Sequence, residues 1–168
     1  MTPLFKKLNL TAQGEILVVN APTSFEPELL GLEGVTTHRQ VEAIAAIAFA
    51  LVFVTQQAEV DDLAQAIAPR AMGDSILWFA YPKKSSKTYT CEFNRDTGWA
   101  VLGDLGFEPV RQVAIDADWS ALRFRRVEYI KSMTRNPKMA LSQEGRGEHV
   151  RFARSAETGE DASVDLKA

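Results

Sequence analysis

The sequence predicts a layered α/β domain whose sheet is mostly parallel and carries an antiparallel hairpin at its C-terminal edge. Three observations carry that prediction. The apolar runs Ile16 to Val19, Ile47 to Val54 and Ile76 to Tyr81 do not alternate with polar residues, and near-continuous apolar strands belong to sheets covered on both faces. Segments of helical spacing separate these runs. Beyond Gly106 the pattern changes to alternation, which marks half-exposed strands.

Taken in order, the chain opens with Met1 to Leu10, where Lys6 and Lys7 precede a polar stretch instead of an apolar core, so no secretory signal is expected. Ile16 to Val19 forms the first strand. Thr23-Ser24-Phe25-Glu26-Pro27 has the grammar of a helix start, with Ser24 as N-cap and Pro27 in the first turn. Gly31 and Gly34 keep that helix short. Val35-Thr36-Thr37 reads as a second strand leading to His38. Ile44 to Val54 is eleven residues without a charge, well short of the ~20 that a membrane span requires. It reads as a buried strand with a helical or irregular lead-in. Ala58 to Ala68 sets Val60, Leu63, Ala64 and Ile67 at helical spacing behind Glu59, Asp61 and Asp62, and Pro69 and Gly73 mark its exit. A later helix is expected over Asp96 to Leu105, with Trp99, Leu102 and Leu105 on one side and Gly106 at the left-handed C-terminal position. Gly98 and Gly103 weaken it, each by ~1 kcal/mol relative to alanine. Arg111 to Ile115 and Ser120 to Arg126 then alternate about the turn Asp116-Ala117-Asp118.

Length and composition bound the function. With 168 residues, 46% of them hydrophobic and 24% charged, the chain suits a single globular domain. A formal net charge of -3 argues against a general binder of nucleic acid or membrane surfaces. One cysteine, Cys91, permits no intrachain disulfide and no multi-cysteine zinc site, and His38 and His149 stand far apart in sequence, so no metal is expected. A reducing, cytoplasmic compartment is the default. Charge is unevenly spread: residues 123–154 hold nine Lys/Arg against three Asp/Glu, whereas residues 155–168 hold one against four. The expected organisation is therefore a single α/β domain over 1–130, a basic extension over 131–154, and a disordered acidic tail over 155–168.

Between Asp74 and Arg126 stand three pieces of sequence: Ile76-Leu77-Trp78-Phe79-Ala80-Tyr81-Pro82-Lys83-Lys84, Gly98-Trp99 followed by a Gly-Phe-Glu, and Asp118-Trp119-Ser120-Ala121-Leu122-Arg123-Phe124. Together they resemble a small bacterial family of unknown function. With the earlier strands, the resemblance spans residues 10–130. It implies a three-layer Rossmann-like sheet similar to a trimmed methyltransferase fold. It implies no activity and no catalytic residues.

Open α/β sheets bind ligands beyond the carboxyl ends of their strands. Two predicted strand exits there are polar, namely Asn20-Ala21-Pro22-Thr23-Ser24 and Pro82-Lys83-Lys84-Ser85-Ser86-Lys87. Were the two strands parallel neighbours, Asn20, Thr23, Ser24, Lys83, Lys84, Ser85 and Lys87 would open on one rim. Backbone N–H groups and ammonium groups there would favour a phosphate or carboxylate. The bland alternative is a solvated turn. Asn20 to Gly34 has no dinucleotide or Walker glycine pattern, and the glycine loop that meets adenosylmethionine is missing too, so no cofactor is expected. Asp116 and Asp118 read as turn formers before metal ligands. Cys91 reads as a quiet structural thiol, and His38 as a surface residue that also suits the rim. Trp78, Trp99 and Trp119 read as core aromatics whose indole N–H groups should find acceptors.

These features favour a noncatalytic cytoplasmic binding domain for a small anion or a protein partner, a second copy of the chain included. One rival is an enzyme working at the same rim, with Lys83, Lys84 or Cys91 acting on an anionic substrate. Another is nucleic-acid binding by residues 123–154, where Arg123, Arg125, Val127 and Tyr129 would share one face of the last strand. That face equally describes an edge strand guarded by charge, and an intramolecular or protein partner is preferred to nucleic acid.

Overall fold

The structure, a computed structural model, describes residues 1–130. The expected basic extension over 131–154 and acidic tail over 155–168 lie outside the described residues. A short helix, α1 (Pro3–Lys7), precedes the first strand, β1 (Glu15–Val19). There follow α2 (Glu26–Leu30), β2 (Thr36–His38), β3 (Ile47–Phe53), α3 (Gln57–Ile67) and β4 (Ala71–Pro82). The order ends with α4 (Ala100–Asp104), β5 (Phe107–Ala114) and β6 (Trp119–Arg126).

The six strands form one mixed sheet in the order β2-β1-β3-β4-β6-β5. β1 pairs in parallel with β2 and β3, and β3 pairs in parallel with β4. β6 is antiparallel to both β4 and β5, so β5 runs in the direction of β4. The α/β class and the mostly parallel sheet with its antiparallel edge pair therefore follow the reading of the apolar runs. Within the hairpin, β5 is the outer strand. β6 lies inside the sheet, which corrects the reading of Arg123 and Arg125 as the guard of an exposed edge. The alternation also stops at Arg126, because residues Val127–Tyr129 form a 3-10 turn.

Successive strand residues fall into two buried clusters, as a pleated strand covered on both faces requires. Leu17, Ala50, Val52, Leu77, Phe79, Leu122 and Phe124 belong to one, with Val60, Ala64 and Ile67 of α3 and Leu102 of α4. Ile16, Val18, Phe49, Leu51, Phe53, Trp78 and Ala121 belong to the other, with Phe5 of α1 and Leu29 of α2. α3 forms where expected because its start is doubly secured. Gln56 and Glu59 make a reciprocal capping box, and the Glu59 carboxylate accepts from the Thr55 and Gln56 N–H groups at 2.8 and 3.1 Å.

Three local expectations are corrected. A 3-10 turn at Thr23–Phe25 runs directly into α2, which moves the N-cap to Phe25; Ser24 caps nothing. α4 begins at Ala100 and not at Asp96, because Gly98 sits at φ 94°, outside helical space. α1 was not anticipated, although Thr2 caps it through a bond from the Phe5 N–H and Pro3 stands in its first turn. Among the described residues no helix is long and apolar enough to cross a membrane.

Candidate functional site

Because β1, β2, β3 and β4 are parallel, their carboxyl ends share one rim. β1 and β4 are not neighbours, since β3 lies between them. Two strand spacings place their exits ~10 Å apart. Asn20 is exposed at φ 61° and spends its side-chain amide on the Phe53 carbonyl at 3.4 Å, tying the β1 exit to the end of β3. Thr23 and Ser24 are exposed on the turn that follows. The predicted residues thus share a rim without converging on one point.

The β4 exit builds a cleft of its own. A hollow of about 360 Å³ is lined by Tyr81, Pro82, Lys83, Lys84, Ser86 and the segment from Tyr89 to Asn94, with Thr97. Lys83 and Lys84 are therefore placed together at a concave site. Asn20, Thr23, Ser24, Ser85 and Lys87 are not among its lining residues. The Lys83 N–H donates to the Asp118 carbonyl at 2.7 Å, extending the β4–β6 ladder by one bond and fixing where the lysine leaves the sheet. Ser86 organises the next turn. Its hydroxyl donates to Asp118 Oδ1 at 2.8 Å and accepts from the Thr88 and Tyr89 N–H groups at 3.2 and 3.1 Å. Asp116 does the same for the hairpin, accepting from the Asp118 and Trp119 N–H groups at 2.8 Å each. Both aspartates are turn formers, and no group of three or more His, Cys, Asp or Glu among the described residues could hold a metal ion.

The opposite wall is a loop pinned through Glu92 to the start of α3 and to the chain leading into it. The Glu92 N–H donates to the Thr55 carbonyl at 3.1 Å, and the Glu92 carboxylate accepts from the Gln57 N–H at 2.8 Å. Glu59 and Glu92 together occupy the N-terminus of α3, so the helix end after β3 presents carboxylates where a phosphate would otherwise dock. Tyr81 and Phe93, which line the cleft, pack with the buried Trp99, their ring centroids 5.0 to 6.4 Å apart. Burial pushes the Tyr81 hydroxyl well above the usual phenol range, and Gln112 donates to it at 2.7 Å. The Trp99 indole donates to the Asn94 carbonyl at 2.9 Å and the Trp78 indole to the Leu8 carbonyl at 2.8 Å. The buried Trp119 Nε1 has no partner among the described residues, which corrects the expectation that every indole would find an acceptor.

The lining from Tyr89 to Asn94 escaped sequence reasoning, apart from Cys91. That stretch carries no strand or helix period, and its pins to Thr55 and Gln57 span more than thirty positions. Cys91 lies in the cleft, but burial pushes its thiol up, opposed in part by a backbone N–H at Phe93. Little thiolate forms at neutral pH, so Cys91 should alkylate with iodoacetamide more slowly than glutathione at pH 7.5; an equal or faster rate would contradict its environment. His38 ends β2 and faces Glu15 at 3.4 Å, at the edge of the sheet remote from the cleft. No family model matches the chain, and no curated protein matches it.

Proposed function

We propose that this protein is a noncatalytic cytoplasmic domain of three-layer Rossmann-like architecture that binds a small anionic metabolite in the cleft at the end of β4. The two core clusters on alternate strand positions support the three layers. The strand order, with β1 to β4 parallel and antiparallel β6 set between the co-directional β4 and β5, supports the Rossmann-like layout. One observation carries the binding reading: Lys83 and Lys84, adjacent on the exit of a parallel strand, line a hollow of about 360 Å³. That volume lies at the lower end of the roughly 300–1,000 Å³ of small-molecule sites. Two ammonium groups beside the Tyr81 and Phe93 rings suit a carboxylate or phosphate on a compact body.

The same lining speaks for binding over chemistry. Its thiol is held protonated, and its carboxylate, Glu92, is spent on the start of α3. The described part of the basic segment also favours intramolecular roles over nucleic acid. Arg125 grips Asp74 through two bonds of 2.9 and 2.7 Å, and Arg126 bonds the Ala68 and Ala71 carbonyls beneath the Phe107 ring.

The test is a thermal-shift titration with citrate and pyrophosphate at constant ionic strength. Both should raise the unfolding midpoint of the full chain, and the K83A/K84A double variant should weaken the citrate effect at least tenfold, about 1.4 kcal/mol of binding. An unchanged citrate response in the double variant, or none in the parent, would remove the proposal.

A further inference from the structure

A second cationic site lies on the sheet face that packs against α1, away from the β4 cleft. Arg111 of β5 and Arg123 of β6 are register partners, and Trp78 of β4 is the next residue across the sheet. Both guanidiniums turn toward one atom: Arg111 Nη1 donates to Asn9 Oδ1 at 3.4 Å and Arg123 Nη1 donates to the same oxygen at 3.5 Å. Asn9 stands just beyond α1 at φ 68°, the left-handed conformation that asparagine tolerates well.

The surrounding arginines show what this pair lacks. Arg39 holds Glu26 and Arg125 holds Asp74, each through two bonds. Arg126 and Arg70 bond backbone carbonyls. Arg111 and Arg123 share one neutral amide oxygen at long distance, and neither is ion-paired among the described residues. Asp74, whose charge acts on Arg123, is committed to Arg125. Arg123 Nε is buried and has no acceptor among the described residues. Burial lowers the Arg123 pKa, and repulsion from Arg125 and Arg111 lowers it further. Uncompensated, partly buried like charges are costly, and a buried donor without an acceptor adds to the cost. An oxyanion removes both costs, because its oxygens accept from two planar forks at once. Lys6 and Lys7 in the last turn of α1 add positive potential beside it.

We propose that Arg111, Arg123 and the Asn9 turn form a binding site for a phosphate group, separate from the Lys83–Lys84 cleft. Asn9 occupies the place where a carboxylate would complete an ordinary ion pair, and its neutrality leaves the two guanidiniums open to a ligand.

The experiment uses the full chain carrying K83A/K84A, so that the β4 cleft cannot supply the signal. Inorganic phosphate is titrated against chloride at equal ionic strength, with the unfolding midpoint as readout and calorimetry as a second measure. Phosphate should raise the midpoint more than chloride does. Adding R111Q should weaken apparent affinity at least tenfold. The decisive variant is N9D, which keeps both arginines and the backbone shape while placing a fixed carboxylate between them. It should raise the midpoint without ligand and abolish the phosphate-specific response. A phosphate response that survives N9D, or one no greater than that of chloride in the K83A/K84A chain, would overturn the proposal. A parent chain that responds to phosphate but not to citrate would instead strike the β4 cleft and leave this site standing.

Discussion

Replacing Trp78 by alanine should lower the unfolding free energy by about 3–5 kcal/mol, the range for truncating a large buried aromatic side chain. Trp78 has no solvent exposure and lies across the sheet from Leu51 of β3 and Arg123 of β6. Its ring fills the cluster under α1, and its indole N–H donates to the Leu8 carbonyl at 2.8 Å. The mutation therefore opens a cavity and also strands a buried carbonyl at the end of α1. Urea denaturation should show the midpoint falling with little change in the slope. Trp78→Phe separates the two causes, since it keeps most of the ring but cannot donate; it should cost about 1–2 kcal/mol. A loss below about 1 kcal/mol for the alanine variant would mean that the α1 side of the sheet contributes little to the core.

The same residue shows why part of the fold was legible. Trp78, Phe79 and Ala80 are consecutive and all buried, facing alternate clusters. A strand buried on both faces cannot afford polar alternation, so its apolar run announces both the strand and the covering helices. α3 was equally plain, because Val60, Ala64 and Ile67 carry the helical period and the capping carboxylate stands three residues past the cap. α1 was opaque for the opposite reason: five residues are too few to display a period, and only the Thr2 cap and Pro3 betray it.

Strand order is a different kind of information. The alternation over residues 120–126 identifies a strand, but β6 sits between β4 and β5 through pairings such as Phe79 with Leu122 and Val113 with Ala121. A local pattern does not encode those partners. The charged positions Arg123 and Arg125 therefore read as an exposed edge, whereas they face Asn9 and Asp74 on neighbouring elements. The β4 exit was found because Lys83-Lys84 directly follows a buried run. Its opposite wall was not, because residues 89–97 are placed by pins to α3 and by aromatic packing from distant strands.

That wall depends on Gly98, and Gly98→Ala is expected to cost about 3–4 kcal/mol, combining overpacking with an unfavourable backbone angle. Gly98 adopts φ 94°, and an added Cβ would lie 2.6 Å from Phe93 Cβ and 2.9 Å from both Phe93 Cγ and Gln57 Oε1. Gln57 can swing aside, but Phe93 Cβ is fixed to the backbone of the cleft loop. The Gly98 carbonyl also accepts from Gln57 Nε2 at 2.8 Å, so a shift of this turn loosens the loop from α3. Gly106 provides the control. It has nearly the same angle, φ 91°, but nothing within 4 Å of its would-be Cβ. Gly106→Ala should therefore report the backbone term alone, about 1 kcal/mol. The difference between the two variants isolates the contact with Phe93. If both cost the same, crowding at Gly98 does not hold the wall. If Gly98→Ala costs more and also weakens the citrate response, the Phe93–Gly98 contact shapes the cleft as well as the core.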